Sequence, residues 1–195
     1  MQYDITKIRT YVEGLIDKTE NLHHRAILEN YRMHALLEVS GRYAEVLSPA
    51  LTVEQPFYRV STPEDGFREY DGMDAVHDLV YKPLADSEAA VFTKEREKLA
   101  IADWGFSQEY LVHNHLSGRA AIAKGLNVAN VDAFYVESRW LSSHWEYDPS
   151  ARLIGEHLYW SAPVSVKEVR KEDFLSPDNV RARLAPIIAA GPYRK

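Results

Sequence analysis

The side chains able to move a proton near neutral pH are few enough to be weighed one at a time. The chain holds eight histidines and no cysteine, which excludes thiolate nucleophiles, thiolate zinc sites and disulfides. His113 and His115 stand at i and i+2, and on a strand that spacing puts both on one face. No third ligand accompanies them, so no metal site is expected. His23-His24 open a helical stretch and read as solvated. His34 falls one turn beyond Tyr31, on a neighbouring face of the same helix, within reach of whatever that helix covers. Glu156 is the carboxylate inside the run Leu153 to Trp160, where it is either a proton carrier or part of the scaffold.

Periodicity supplies the elements that must hold these groups. Residues 4–17 carry Ile5, Ile8, Val12 and Leu15 at helical spacing. Thr19 is placed to cap a helix over about 20–39, ended by Ser40-Gly41, and 42–47 reads as a short third helix stopped by Pro49. Residues 51–57 alternate like a strand, and 61–70 are polar with Pro63 and Gly66, hence a loop. A helix follows over 73–86, with Pro83 in its last turn. Extended stretches come next at 98–103, 106–117, 132–147 and 152–161. A final helix over 177–190 is capped by Ser176. Helices followed by a run of antiparallel strands predict an α+β fold, a cone-shaped barrel in which a strongly curved antiparallel sheet wraps the N-terminal helices and leaves a concavity. The division expected is an N-terminal helical extension (1–18), the α+β cone (19–162) and a C-terminal extension with a terminal helix (163–195).

A formal charge of −6 argues against nucleic acid as a partner. The first 18 residues are charged throughout, and no stretch approaches the roughly 18 apolar residues of a membrane span. The chain is therefore expected to be cytoplasmic, with no membrane partner. Twelve tyrosines and four tryptophans are enough to line an apolar cavity as well as a core.

Several local words, taken in order, resemble the ketosteroid isomerase/SnoaL/nuclear-transport-factor-like superfamily across about residues 20–162. They are Tyr31 through Thr52-Val-Glu-Gln-Pro56, Asp71-Gly-Met-Asp-Ala-Val76, Val131-Asp-Ala-Phe134, and Arg152-Leu-Ile-Gly-Glu-His-Leu-Tyr-Trp160. The resemblance implies that Tyr31 and Asp132 are a donor pair for an oxyanion, Asp132 being held neutral by burial; ketosteroid isomerase is itself the standard example of such an acid. It also places Gln55 where the isomerase has its base. An amide does not shuttle protons near neutral pH, so Glu156 or His34 is left to carry the proton.

Strand alternation turns this alignment into a lining list. With Asp132 inward, Phe134, Val136, Ser138 and Trp140 follow. Glu156, Leu158 and Trp160 face in from the closing strand, Tyr110, Val112 and Asn114 from the middle strand, and Gln55 and Phe57 from the first. Leu111, Tyr135, Leu141, Trp145 and Tyr159 then form an outward apolar row, which predicts a homodimer or the terminal helix folded across it. The function that follows is a lyase or isomerase of dehydratase or cyclase type, working without a cofactor on a hydrophobic carbonyl compound. A non-catalytic binding or accessory protein is the alternative that Gln55 favours. Epoxide-hydrolase-like water activation needs a carboxylate–arginine–carboxylate set, and the same parity turns Arg139 away from the cavity.

Overall fold

The computed structural model describes residues 3–86 and 91–193. A 3-10 turn (Ile5–Arg9) leads into α1 (Thr10–Ile16), and α2 (Leu22–Val39) is the long helix of the molecule. Its cap is Asn21, whose side chain accepts from the backbone N–H of His23 and His24, closing donors a helix start leaves free; Thr19 instead bonds back to the carbonyl of Leu15. After α3 (Tyr43–Val46) come β1 (Phe57–Thr62) and β2 (Gly66–Asp71). One continuous helical segment then contains α4 (Met73–Val76), a π-helical stretch (His77–Tyr81) and α5 (Lys82–Asp86). Pro83 has no N–H with which to close an α-helical bond to Leu79, which suits the wider turn.

The strands β3 (Phe92–Ala102), β4 (Gly105–Ser117), β5 (Phe134–Tyr147) and β6 (Leu153–Trp160) form the body of the sheet, in the order β2-β1-β6-β5-β4-β3. A short helix α6 (Gly118–Ala123) bridges toward β5, and β7 (Ser165–Val169) pairs with the first residues of β5. The sheet is mixed rather than antiparallel throughout, because β1 runs parallel to β6. That crossing demands close approach: a Cβ on Gly155 would lie 1.8 Å from the carbonyl oxygen of Phe57. The architecture is α+β.

Helix α2 packs along the inner face of the sheet. Tyr31 meets Phe106 and Trp145 at ring separations of 4.8 and 5.1 Å, contacts worth about 0.5–1.5 kcal/mol each beyond buried area. On its other side α2 buries Leu36 and Val39 against Ile5, Ile8 and α7 (Pro177–Ala189) through Val180 and Leu184. Both terminal segments are thus tied into one core, and Ser176 caps α7 by accepting from the N–H of Asn179.

Three local expectations need correction. Residues 51–56 are a turn with a single bridge, Thr52 to Leu153, and β1 begins only at Phe57. Residues 66–71 are an edge strand, exposed along most of its length and without an apolar alternation to betray it. Residues 131–133 are a turn, and β5 begins at Phe134.

Candidate functional site

The cross-strand register fixes which side chains face α2. Tyr110 pairs with Leu141, Val112 with Arg139 and Asn114 with Glu137, and Leu141 pairs in turn with Trp160 and Trp145 with Glu156. The inner row of β5 is therefore Tyr135, Glu137, Arg139, Leu141, Ser143 and Trp145. The expected parity of β4 and β6 holds and that of β5 is reversed, because Asp132 sits in the turn and cannot set the phase of the strand after it. Phe134 and Trp140 face outward, Phe134 stacking on Phe174 at 4.4 Å. On β1 the phase is likewise shifted by the turn at 51–56: Tyr58, Val60 and Thr62 face inward in place of Phe57, which lies beside His157.

Together these faces enclose a cavity of about 600 Å³, within the size range of small-molecule sites. Its walls are Val60, Tyr70, Leu79, Val80, Leu84, Phe92, Leu158 and Trp160.

The polar groups are concentrated at two ends, and the first is a buried acid–base cluster at the floor. His34 Nε2 lies 3.2 Å from Glu156 Oε1 and 3.9 Å from Glu38 Oε2. The hydroxyl of Tyr81 donates to Glu156 Oε1 at 3.3 Å and sits 3.2 Å from both His34 Nε2 and the Tyr58 hydroxyl. Tyr58 is near enough to Glu156 for the two groups to influence each other's ionisation. Loss of solvent is the main influence on every member. It pushes His34 down to about 3, so the imidazole is neutral, and pushes Glu38 up to about 7. Burial, reinforced by the charge of Glu38, raises Glu156 well above the carboxylate range. Tyr81 enters this cluster at the end of the π-helical stretch. Glu38 follows Tyr31 and His34 at i+7 and i+4 on α2, and its side chain is 20% exposed, opening on the cavity.

At the mouth, Arg139 is 5% exposed and bridges two carboxylates. It lies 2.5–2.6 Å from Glu137, which is fully buried, and 2.8 Å from Glu64 in the β1–β2 turn. Lys124 and Asn114 also donate to Glu137, at 3.4 and 3.2 Å. The hydrogen bond from Arg139 holds the Glu64 carboxyl below its usual range. These two acids and two bases balance one another, and Asp65 of the β1–β2 turn lines the cavity beside them.

Of the residues expected at the site, the structure places Glu156 at the floor and Asn114, Leu158 and Trp160 along the walls, with His34 fully buried behind Glu156 and not lining the cavity. Tyr31 is buried but does not line the cavity. Its hydroxyl donates to Gln108 Oε1 and accepts from Lys94 Nζ, both at 2.8 Å. Tyr110 faces the same interior, its ring 5.1 Å from Lys94 Nζ, and packs against Leu158 and Trp160 without lining the cavity. Gln55 is exposed in the turn, against Gly72, and says nothing about a base. Asp132 is also corrected: its side chain is 78% exposed, lies 3.9 Å from Arg119 on the surface and does not line the cavity. The outward apolar row is not formed either, since Tyr135, Leu141 and Trp145 are buried on the inner face. His113 and His115 do lie on the outer face, where Tyr3 packs on both and the backbone N–H of Leu175 bonds to His115 Nδ1. Among the described residues no His, Asp or Glu side chains converge in threes to hold a metal ion, and no helix is long and apolar enough to cross a membrane.

No protein-family model matches the chain, and no curated protein does. Two of the solved structures similar to it illustrate the likeness. One is a phenazine biosynthesis-related protein (phzb2) from Pseudomonas aeruginosa, 13% identical, with a TM-score of 0.38 over 80% of this chain and 83% of that one. The other is a nuclear transport factor 2 (NTF2-like) superfamily protein from Salmonella enterica serovar Typhimurium, 14% identical, with a TM-score of 0.39 over 71% of this chain and 96% of that one. The second carries the name of the superfamily that the sequence words resemble. Neither likeness assigns an activity to this chain.

Proposed function

We propose that the chain is an enzyme of lyase or isomerase type that moves a proton next to the carbonyl of a hydrophobic small molecule. The observation that carries this reading is the pair Glu38 and Glu156, both lining an apolar cavity and both within 4 Å of the same nitrogen, Nε2, of a neutral His34. Two carboxyls with separated proton affinities are what acid–base assignment looks for. Glu156, whose burial favours the protonated form, donates to the carbonyl oxygen with help from the Tyr58 and Tyr81 hydroxyls. Glu38, near half-ionised at pH 7, takes the α-hydrogen. The C–H electron pair becomes the C=C bond of an enol, and Glu38 then returns the proton either to a β-hydroxyl, which leaves as water while the enol proton goes back to Glu156 (dehydration), or to a more distant carbon of a conjugated enol, again with return of the enol proton to Glu156 (isomerisation). His34 holds Glu156 in position rather than carrying charge. Exchange of the α-hydrogens of 2-tetralone in D₂O, followed by proton NMR, tests the reading. Exchange by the wild type that drops about 10²-fold or more in both Glu38→Gln and Glu156→Gln supports it; rates unchanged in both variants reject it.

A second reading is favoured by Glu64–Arg139–Glu137 at the mouth, a carboxylate–guanidinium–carboxylate bridge of the kind that water-activating epoxide hydrolysis requires. It predicts hydrolysis of an apolar epoxide such as styrene oxide that is lost in Glu64→Gln and survives Glu38→Gln. A pocket that retains a ligand with neither activity would be a binding module. A homodimer and a hydrophobic small-molecule partner remain proposals, to be read by light scattering and by native mass spectrometry of freshly purified protein.

A further inference from the structure

Behind the floor, out of the cavity, lies an ion pair that the proposed chemistry does not use. The Lys94 side chain is 1% exposed and its Nζ lies 2.9 Å from Glu97, which is 10% exposed. On a regular strand, residues three apart point to opposite faces. They meet here because β3 carries a bulge between Glu95 and Lys98, with Arg96 at φ 56°, a left-handed conformation a non-glycine residue seldom adopts. Bulges re-aim side chains beside functional sites, and this one turns Glu97 inward onto Lys94. The ammonium then donates to the Tyr31 hydroxyl at 2.8 Å and rests 4.9 and 5.1 Å from the Tyr31 and Tyr110 ring centres. A helix carrying Tyr31, His34 and Glu38 at i, i+3 and i+7 thus has a buried cation at one end of that row and the floor carboxyls at the other.

We propose that Lys94, with Glu97 as its counter-charge, is a positioning residue that sets how readily Glu38 exchanges a proton. This rests on the reading of Glu38 as the base. Lys94 is held at 2.8 Å against the hydroxyl of Tyr31, which lies two turns before Glu38 on the same face of α2, and its charge there works against the effect of burial on Glu38. The other groups acting on Glu38 or sensing its charge are His34 on the same helix, Glu156 from β6, Tyr43 from α3, Tyr58 from β1, Tyr110 from β4 and Tyr81. His34 is neutral, so Lys94 is the cation in this set. Glu97 lies close enough to Lys94 to offset part of its field.

The two members of the pair must act with opposite sign, which a structural role would not produce. The test is a carboxyl ¹³C NMR titration of glutamate-labelled protein, with the Glu38 signal assigned by its absence in Glu38→Gln. Lys94→Met is expected to raise the Glu38 midpoint, and Glu97→Gln to lower it, each by about half a pH unit or more. Should Lys94→Met fail to fold, Glu97→Gln alone decides by the direction of its shift. Midpoints that stay put, or that move the same way in both variants, overturn the proposal. A wild-type midpoint near the ordinary glutamate value of about 4.3 rejects Glu38 as the base, while the difference between variants still judges Lys94.

Discussion

Oε1 of Glu156 stands 3.2 Å from Nε2 of His34, and burial works against the charged form of both groups. Burial disfavours the ion on each side, so a contact that would be a salt bridge at the surface is here a hydrogen-bonding pair. This makes the floor a place where a proton can be held without a formal charge, and it has consequences for stability as well as for chemistry.

Glu156→Gln is expected to flatten the alkaline side of the stability profile. A carboxyl whose folded pKa is raised binds its proton more tightly in the native state, so stability is lost as pH climbs above the unfolded value of about 4.3. The wild-type melting temperature should therefore fall on going from pH 5 to pH 9 with a contribution from this group. Glu156→Gln keeps the shape, removes the ionisation, and should show a smaller fall.

His115→Gln acts on the acid side. Burial, with a smaller part from His113, lowers His115 to about 4, so the unfolded chain takes up a proton below about 6.5 that the native state refuses. Stability should drop as pH falls from 6.5 toward 4. The glutamine variant, which retains an acceptor for the Leu175 N–H, should lose part of that dependence in thermal melts.

Asp132→Ala should leave folding within about 0.5 kcal/mol of wild type and leave tetralone exchange unchanged, since the side chain is exposed and 3.9 Å from an equally exposed Arg119. A large loss of activity would restore the oxyanion role that the resemblance implies.

Arg139→Met removes the cation between Glu137 and Glu64. With Glu137 fully buried and left with Lys124 at 3.4 Å as its counter-charge, the loss should cost up to roughly 3–5 kcal/mol, measurable by urea unfolding. Adding Glu137→Gln to that background should recover part of the loss.

The order of the main helices and the strands β4, β5 and β6 are legible in the sequence because each has its own periodicity and a turn at its boundary, whereas only the second half of β3 is, the expectation of 98–103 missing its first six residues, 92–97. Inward faces are legible on β4 and β6, whose alternation runs unbroken from turn to turn. They are not legible on β5 and β1, where the phase was carried through the turns at 131–133 and 51–56, and this is why Phe134, Trp140, Gln55 and Phe57 were expected inward and Arg139 outward. Glu38 was within reach of the reading, being one turn beyond His34, but a glutamate in a helix ordinarily signals a solvated face. Tyr81 is hidden by the π-helical stretch, which breaks the 3.6-residue period, and Glu97 by the bulge, which breaks the period of two. Both irregularities sit where the buried polar groups are.

The pH dependence of 2-tetralone exchange tests the central claim most directly. With Glu38 as base, exchange should rise through a single ionisation near pH 7, where burial places that carboxyl, and fall by about 10²-fold or more in Glu38→Gln. Exchange no faster than buffer alone, or a profile that Glu38→Gln leaves unchanged, would contradict a proton-transfer site on this cavity floor.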